Sequence, residues 1–253
     1  MRSYFIAAAF AAGLTVVLSG AAGAADEWGT VKGQVTWGGK SPPAEEKVDT
    51  TKEPLCAKCN VVKEEFVVGK NGGVKNVFVW LQDASNPKAK LPIHPALKAV
   101  KDKEVIIDQP CCKFEPHVLA LREGQVIVGK NSATFAHNMK WAGGDDNPGD
   151  NKLIPAGGQI KVELAASPKP VILECNIHPW MKGWVRVFNH PYFAVTDADG
   201  KFEIKDAPAG KYNIVMWQEG VGWVNGGGKA GKTIEIPASK TVEVNEKVMP
   251  EEK

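Results

Sequence analysis

The chain has 253 residues, 43% of them apolar, with 31 basic against 29 acidic side chains and a formal net charge of +2. So even a balance offers no basic face for nucleic acid and no strong pull toward a charged membrane surface. Five cysteines and five histidines are few enough for each to be assigned a role.

In chain order, Arg2, the apolar run Phe5 to Leu18 and the small residues Ala22-Gly23-Ala24 have the layout of a secretory signal peptide over residues 1–24. An uncleaved anchor is the alternative. Loss of Arg2 would leave 30 basic against 29 acidic groups. About 229 residues would remain, enough for one large or two small β domains. No later stretch approaches the roughly 18 apolar residues of a membrane span, so a soluble mature chain is expected. Export would also permit disulfides.

Beyond the leader, Gly, Pro and Asn recur about every 8–12 residues between short alternating runs, the pattern of an all-β sandwich. The predicted strands are Val31 to Trp37, Val74 to Leu81, Val118 to Leu121, Gln125 to Gly129, Gln159 to Leu164 and Val171 to Cys175. Further along come Gly183 to Phe188, Lys201 to Ile204, Tyr212 to Trp217 and Thr233 to Ile236. Ala84 to Ala96, with Pro87, Pro92 and Pro95, reads as a surface loop holding at most one helical turn, and Lys98 to Lys103 as a turn or an edge. Composition shifts near 84–103 and at Asn189-His190-Pro191 suggest boundaries. Gly226-Gly227-Gly228 reads as a turn, since it lacks the lysine and the strand-to-helix context of a phosphate loop. Met249 to Lys253 reads as a frayed end.

The most informative stretch is Cys175-Asn176-Ile177-His178-Pro179-Trp180-Met181, which puts a thiolate, an imidazole and a thioether on one short loop. His137, 38 residues upstream, can add a second imidazole from a neighbouring strand. Cysteine, two histidines and a weak methionine are the ligands of a blue-copper electron-transfer site, where soft sulfur and borderline nitrogen suit both oxidation states. Pro179 would stiffen the loop, and Gly183 would let it turn into the next strand.

His137-Asn138 followed by Cys175-x-x-His178-Pro179-x-Met181-x-Gly183 resembles the cupredoxins, the blue type 1 copper proteins of amicyanin and plastocyanin type. The resemblance runs from about Lys103 to Phe188. Val118 to Gln125 resembles that family's early strand and turn, and Leu153 to Leu164 the strand before the ligand hairpin. It implies a Greek-key β-sandwich holding one copper ion through His137, Cys175, His178 and Met181. Cys175 would conduct the electron, and His137 would be the buried imidazole, its other nitrogen tied to a backbone carbonyl or water. His178 would lie nearest solvent, with Pro179 and Trp180 as an apolar rim for a redox partner. Asn138 would steady the cysteine loop and tune the sulfur. A binuclear copper centre needs a second cysteine between Asn176 and Trp180, and multicopper enzymes need His-x-His pairs; the chain has neither.

Cys56-Ala57-Lys58-Cys59 is not a c-type haem site, because Asn60 stands where histidine is required. Two disulfides crossing between the 56/59 and 111/112 sets are the favoured reading, with connectivity open; a four-thiolate zinc site is the alternative. Either leaves Cys175 unpaired. His117 reads as a structural or interface residue, His94 and His190 as solvated loop histidines, and Asp145 to Asp150 as a solvated turn rather than a calcium loop.

Thr196 to Phe202 and Ala207 to Tyr212 resemble the carboxypeptidase regulatory-like domain, a small transthyretin-like sandwich, and Gly29 to Val35 resembles its opening strand. The division expected is a 1–24 signal peptide, a 27–100 amino-terminal β region, a 101–189 cupredoxin domain and a 190–248 regulatory-like domain. Residues 27–83 and 191–248 would together form one sandwich around an inserted cupredoxin unit; two tandem units are the alternative. The reading is an exported, periplasmic, non-enzymatic one-electron carrier between redox partner proteins, without nucleic acid or a lasting membrane span. Copper storage or delivery, or a β binding module with structural copper, are the competing classes.

Overall fold

The computed structural model describes residues 27–224 and 228–249; residues 1–26, on which the expected signal peptide falls, residues 225–227 and the end of the chain from 250 lie outside the described residues. Residues 28–83 supply β1 (Trp28–Trp37) and β2 (Phe78–Asp83). The middle of the chain supplies β3 (Glu104–Asp108), β4 (Val118–Arg122), β5 (Val126–Lys130), β6 (His137–Ala142), β7 (Asp150–Ile154), β8 (Gln159–Val162), β9 (Val171–Glu174) and β10 (Lys182–Phe188). The remainder supplies β11 (Phe193–Val195), β12 (Lys201–Pro208), β13 (Gly210–Gln218), β14 (Gly222–Trp223), β15 (Lys232–Ile236), β16 (Thr241–Glu243) and β17 (Glu246–Val248). The fold is all-β. Its helical pieces among the described residues are three-residue turns, one of them at Pro95–Leu97 in the proline-rich loop, and none is long or apolar enough to cross a membrane.

Strands from the two ends of the chain share one sandwich. β1 pairs antiparallel with β12 and parallel with β16 and β17, while β2 lies between β11 and β13, and β13 continues to β14 and β15. Alternation along β1 sends Val31 and Val35 inward, where they meet Val79 and Leu81 of β2, Phe202 and Ile204 of β12 and Ile214 of β13. Gly33 admits no side chain, because a Cβ there would stand 1.7 Å from the Val244 carbonyl oxygen.

The middle strands form a second sandwich, the sheet β4-β10-β9-β6-β7 facing β3-β5-β8. Ile107, Leu121, Ile127, Met139, Leu173 and Val185 fill it. The single strand expected over Leu153 to Leu164 is instead two strands in different sheets. Pro155 and Gly157, at φ 69°, turn the chain across the sandwich, and Gly158 N–H donates to the Pro155 carbonyl at 2.9 Å.

β2 explains why Phe78-Val79-Trp80-Leu81 is apolar without alternation: both of its faces are buried. Val79 and Leu81 enter the first core, whereas Phe78 and Trp80 meet Val118 and Phe188 of the second sandwich. Phe188 stacks on Phe193 at 4.4 Å, and Trp184 meets Trp217 edge-on at 4.8 Å, so an aromatic layer joins the two sandwiches. A second link is covalent. Cys56 bonds Cys112 and Cys59 bonds Cys111, the expected crossing between sets, and Cys175 is free. Between β1 and β2, Val48, Cys56 and Val61 therefore pack on the second core rather than the first.

Candidate metal centre

His137 opens β6 and Cys175 directly follows β9. These strands pair antiparallel with Lys140 opposite Glu174, so the start of one meets the end of the other. Period-two alternation puts His137 on the same inward face as Met139 and Trp141. From Cys175 the loop folds back on itself: Met181 N–H donates to the His178 carbonyl at 2.8 Å, and Cys175 N–H to the Met181 carbonyl at 3.2 Å. Gly183 is required for close approach rather than for the turn expected of it. Its φ is not positive, and a Cβ there would stand 3.1 Å from the His117 carbonyl oxygen and 3.2 Å from Phe114.

The loop brings three donor atoms together. His137 Nδ1 and His178 Nδ1 are 3.0 Å apart, and Cys175 Sγ lies 3.9 Å from the first and 3.7 Å from the second. A point equidistant from the three is about 2.1 Å from each, against usual metal–nitrogen and metal–sulfur lengths of about 2.0–2.1 and 2.3 Å. All three residues are buried, and so is Met181, in the same core. Burial, then the neighbouring His178, pushes the His137 pKa down to about 4; burial also lowers that of His178, against the opposing charge of Glu53. Both imidazoles are therefore neutral at neutral pH, the state that binds metal. Two ring nitrogens facing each other at 3.0 Å share at most one proton. The donor set fits a soft or borderline cation, copper foremost.

Asn138 holds the loop to β6. Its Oδ1 accepts from the N–H of Asn176 at 2.8 Å and of Ile177 at 3.3 Å, and lies 3.4 Å from Cys175 Sγ, while its Nδ2 donates to Asn151 Oδ1 at 2.7 Å. Of the two partners expected for His137 Nε2, a backbone carbonyl is not found among the described residues.

His178, expected nearest solvent, is the more exposed of the two imidazoles, but at 3% against 0% it too is buried. The Cys56–Cys112 sulfurs lie within 4.8 Å of its ring nitrogen, the rings of Trp180 and Phe135 flank it at 5.5 and 5.9 Å, and Trp180 Nε1 donates to the Cys112 carbonyl at 3.2 Å. The physical reason is the disulfide, which ties the segment around Cys56 over the histidine edge. Cys56, Cys112 and His178 are not a second metal trio, because the two sulfurs are bonded to each other and offer no thiolate. Pro179 is exposed, Trp180 is half-buried, and Ile177 is 41% exposed beside them.

No protein-family model and no curated protein matches the chain. Among solved structures it is similar to amicyanins. A reduced tryptophan-to-tyrosine variant of amicyanin is 17% identical over 43% of this chain and 91% of its own, with a TM-score of 0.32. The Cu(I) form of a methionine-to-alanine variant is 16% identical over 45% and 99%, with a TM-score of 0.32. An oxidised methionine-to-leucine variant is 15% identical over 45% and 99%, with a TM-score of 0.31.

Sequence reasoning missed both Phe135 as a wall of the site and the disulfide above His178. Phe135 stands two residues before His137 and is 5.0 Å from its ring, a spacing that puts both on one side of an extended chain. The disulfide contact arises from tertiary packing and leaves no local signal.

The remaining histidines separate by environment. His117 is an interface residue: its Nε2 is paired with Glu219, its Nδ1 lies 3.7 Å from Glu64, and Trp184 Nε1 donates to Glu219 at 2.7 Å. His190, expected to be solvated, is buried. Its Nδ1 accepts from Tyr192 N–H at 3.1 Å, and burial, with the charge of Arg186, pushes its pKa down to about 4. His94 is half-buried and caps the turn at Pro95–Leu97 by accepting from Ala96 N–H. In the acidic turn the carboxylates are exposed, and buried Asn147 exchanges two hydrogen bonds with Ala165.

Proposed function

We propose that His137, Cys175 and His178 hold one type 1 copper ion, with Met181 as the weak fourth ligand, and that the protein carries single electrons between exported redox partners. The observation that carries this reading is the triangle of donor atoms with sides of 3.0, 3.7 and 3.9 Å, all buried. Bound copper would supply a one-electron couple there. The chain's own residues do the rest. Pairing of β6 with β9 fixes His137 against Cys175, the Asn138 bonds hold the cysteine loop, and burial keeps both imidazoles neutral and excludes water. A site held this rigidly changes little as charge arrives.

The remaining parts of the reading follow from it. The chain acts as a carrier rather than an enzyme, in the periplasm or a similar exported space, where its two disulfides persist. A redox partner docks at the apolar rim of Pro179 and Trp180, extended by exposed Ile177. The 101–189 segment is the copper unit; the sandwich built from 27–83 and 191–248 is a transthyretin-like scaffold for it. The cover over His178 favours retention of the metal, which argues against storage or delivery.

Optical and paramagnetic-resonance spectra of the copper-reconstituted full chain test the reading. An intense thiolate-to-copper absorption that bleaches and returns on reduction and reoxidation is expected, and Cys175→Ala abolishes it. Colourless binding of Cu(I) alone would refute electron transfer in favour of storage.

A further inference from the structure

Where the two sandwiches meet, a cavity of about 750 Å³ opens, lined from β2, from β10 and from the loops around Pro87 and Pro168. Arg186 of β10 lines it. Its side chain is an anomaly: 6% exposed, with Nε and Nη1 buried and unpartnered. Trp80 lies against one face, its ring centroid 3.6 Å from the guanidinium carbon, and Phe188 is 4.7 Å away. No carboxylate among the described residues pairs with it. Burial pushes its pKa down to about 9, so it remains a cation at neutral pH.

A cation removed from water is costly unless an opposite charge meets it, and aromatic faces offset only part of that cost. Lys88, Lys169 and Lys229 also line the cavity against one acid, Asp146, and buried His190 stays neutral there. The site thus carries an excess of positive charge and lacks an anion of its own. A planar guanidinium fork matches carboxylate or phosphate oxygens. The volume falls within the roughly 300–1,000 Å³ of small-molecule sites and far exceeds an inorganic ion. Trp80 and Phe188 give the space an apolar wall.

We propose that this cavity binds a small organic anion, a carboxylate or phosphate ester on an apolar body, with Arg186 as its counter-ion. The site is separate from the metal centre and does not depend on it.

Benzoate and phenyl phosphate serve as probes on the full chain at fixed ionic strength, read by thermal shift and by the fluorescence of Trp80 and Trp223, which line the cavity. Saturable binding of at least one probe is expected, where sodium chloride at the same ionic strength gives none. Benzoate alone would identify a carboxylate ligand, and phenyl phosphate alone a phosphate ester. Arg186→Met should weaken binding by at least about tenfold. The double reversal Lys88→Glu with Lys169→Glu, at two exposed positions, should weaken it similarly and keeps the test valid if the arginine variant does not fold. No saturable response to either probe, or undiminished affinity in both variants, would overturn the proposal.

Discussion

Asn138 shows how one side chain outside the donor triangle can organise the loop of the candidate site. Its amide oxygen gathers Asn176 N–H, Ile177 N–H and Cys175 Sγ, and its amide nitrogen is spent on Asn151. Aspartate would keep the acceptor but add charge beside a thiolate, and alanine would leave two backbone donors without a partner. Asn138→Ala should therefore cost about 1 kcal/mol of unfolding free energy, the usual net worth of a hydrogen bond, since the two donors it frees lie on exposed residues where water can reach them. It should also broaden the copper spectrum as the loop loosens. Denaturant unfolding beside the optical spectrum checks both; an unchanged spectrum would remove Asn138 from any role in holding the cysteine. The proposed ligands were nameable from the sequence, since Cys175, His178 and Met181 need only one loop, and the structure brings Cys175 and His178 together with His137. Arg186 was not: nothing in Trp184-Val185-Arg186-Val187 says that the arginine is covered by Trp80, more than 100 residues away.

Among the larger elements, the segment around Cys56 has the most consequence for the site. Chain-entropy reasoning assigns a disulfide closing a loop of this length about 4 kcal/mol; the second adds less, since it closes an already constrained chain. Yet stability is only part of its effect, because the Cys56–Cys112 bond lies directly on the edge of His178. Cys56→Ala with Cys112→Ala keeps the Cys59–Cys111 staple and uncovers that edge. The variant should lose copper to a chelator faster than the parent while keeping its absorption spectrum, and thiol titration of either protein, denatured, metal-free and unreduced, should find one sulfhydryl. Equal exchange rates would mean that the cover does not control access. The crossed pairing could be foreseen, since adjacent cysteines rarely bond each other; the position over His178 could not, because it depends on how residues 48–61 lie on the second core. Strand content shows the same division. Alternating runs such as Val31 to Trp37 were legible, while β7 and β8 were read in part as one strand, because their apolar pattern continues through the turn at Pro155 and Gly157.

At the scale of the whole molecule, the two sandwiches are joined by aromatic packing, by the two disulfides, by chain crossings and by a charged cluster around His117, and that cluster makes the junction respond to pH near neutrality. His117 precedes β4 of the second sandwich, whereas Glu219 follows β13 of the first and Glu64 lies in the long connection between β1 and β2. Burial pushes the His117 pKa down, but the hydrogen bond and charge of Glu219, the charge of Glu64 and the Lys182 backbone together outweigh it, and the net shift is upward. A raised folded-state pKa stabilises the native form most below the unfolded value of about 6.5, and that contribution fades as pH rises through the folded value. Glu219→Gln removes the dominant partner while leaving an amide that can still accept from Trp184, so it should lower stability near about pH 6 and much less near about pH 9. The gap between the unfolding midpoints of the variant and the parent should therefore narrow as pH rises across that window. A gap independent of pH would show that His117 is neutral in the folded protein and that its bond to Glu219 joins the sandwiches without a charge.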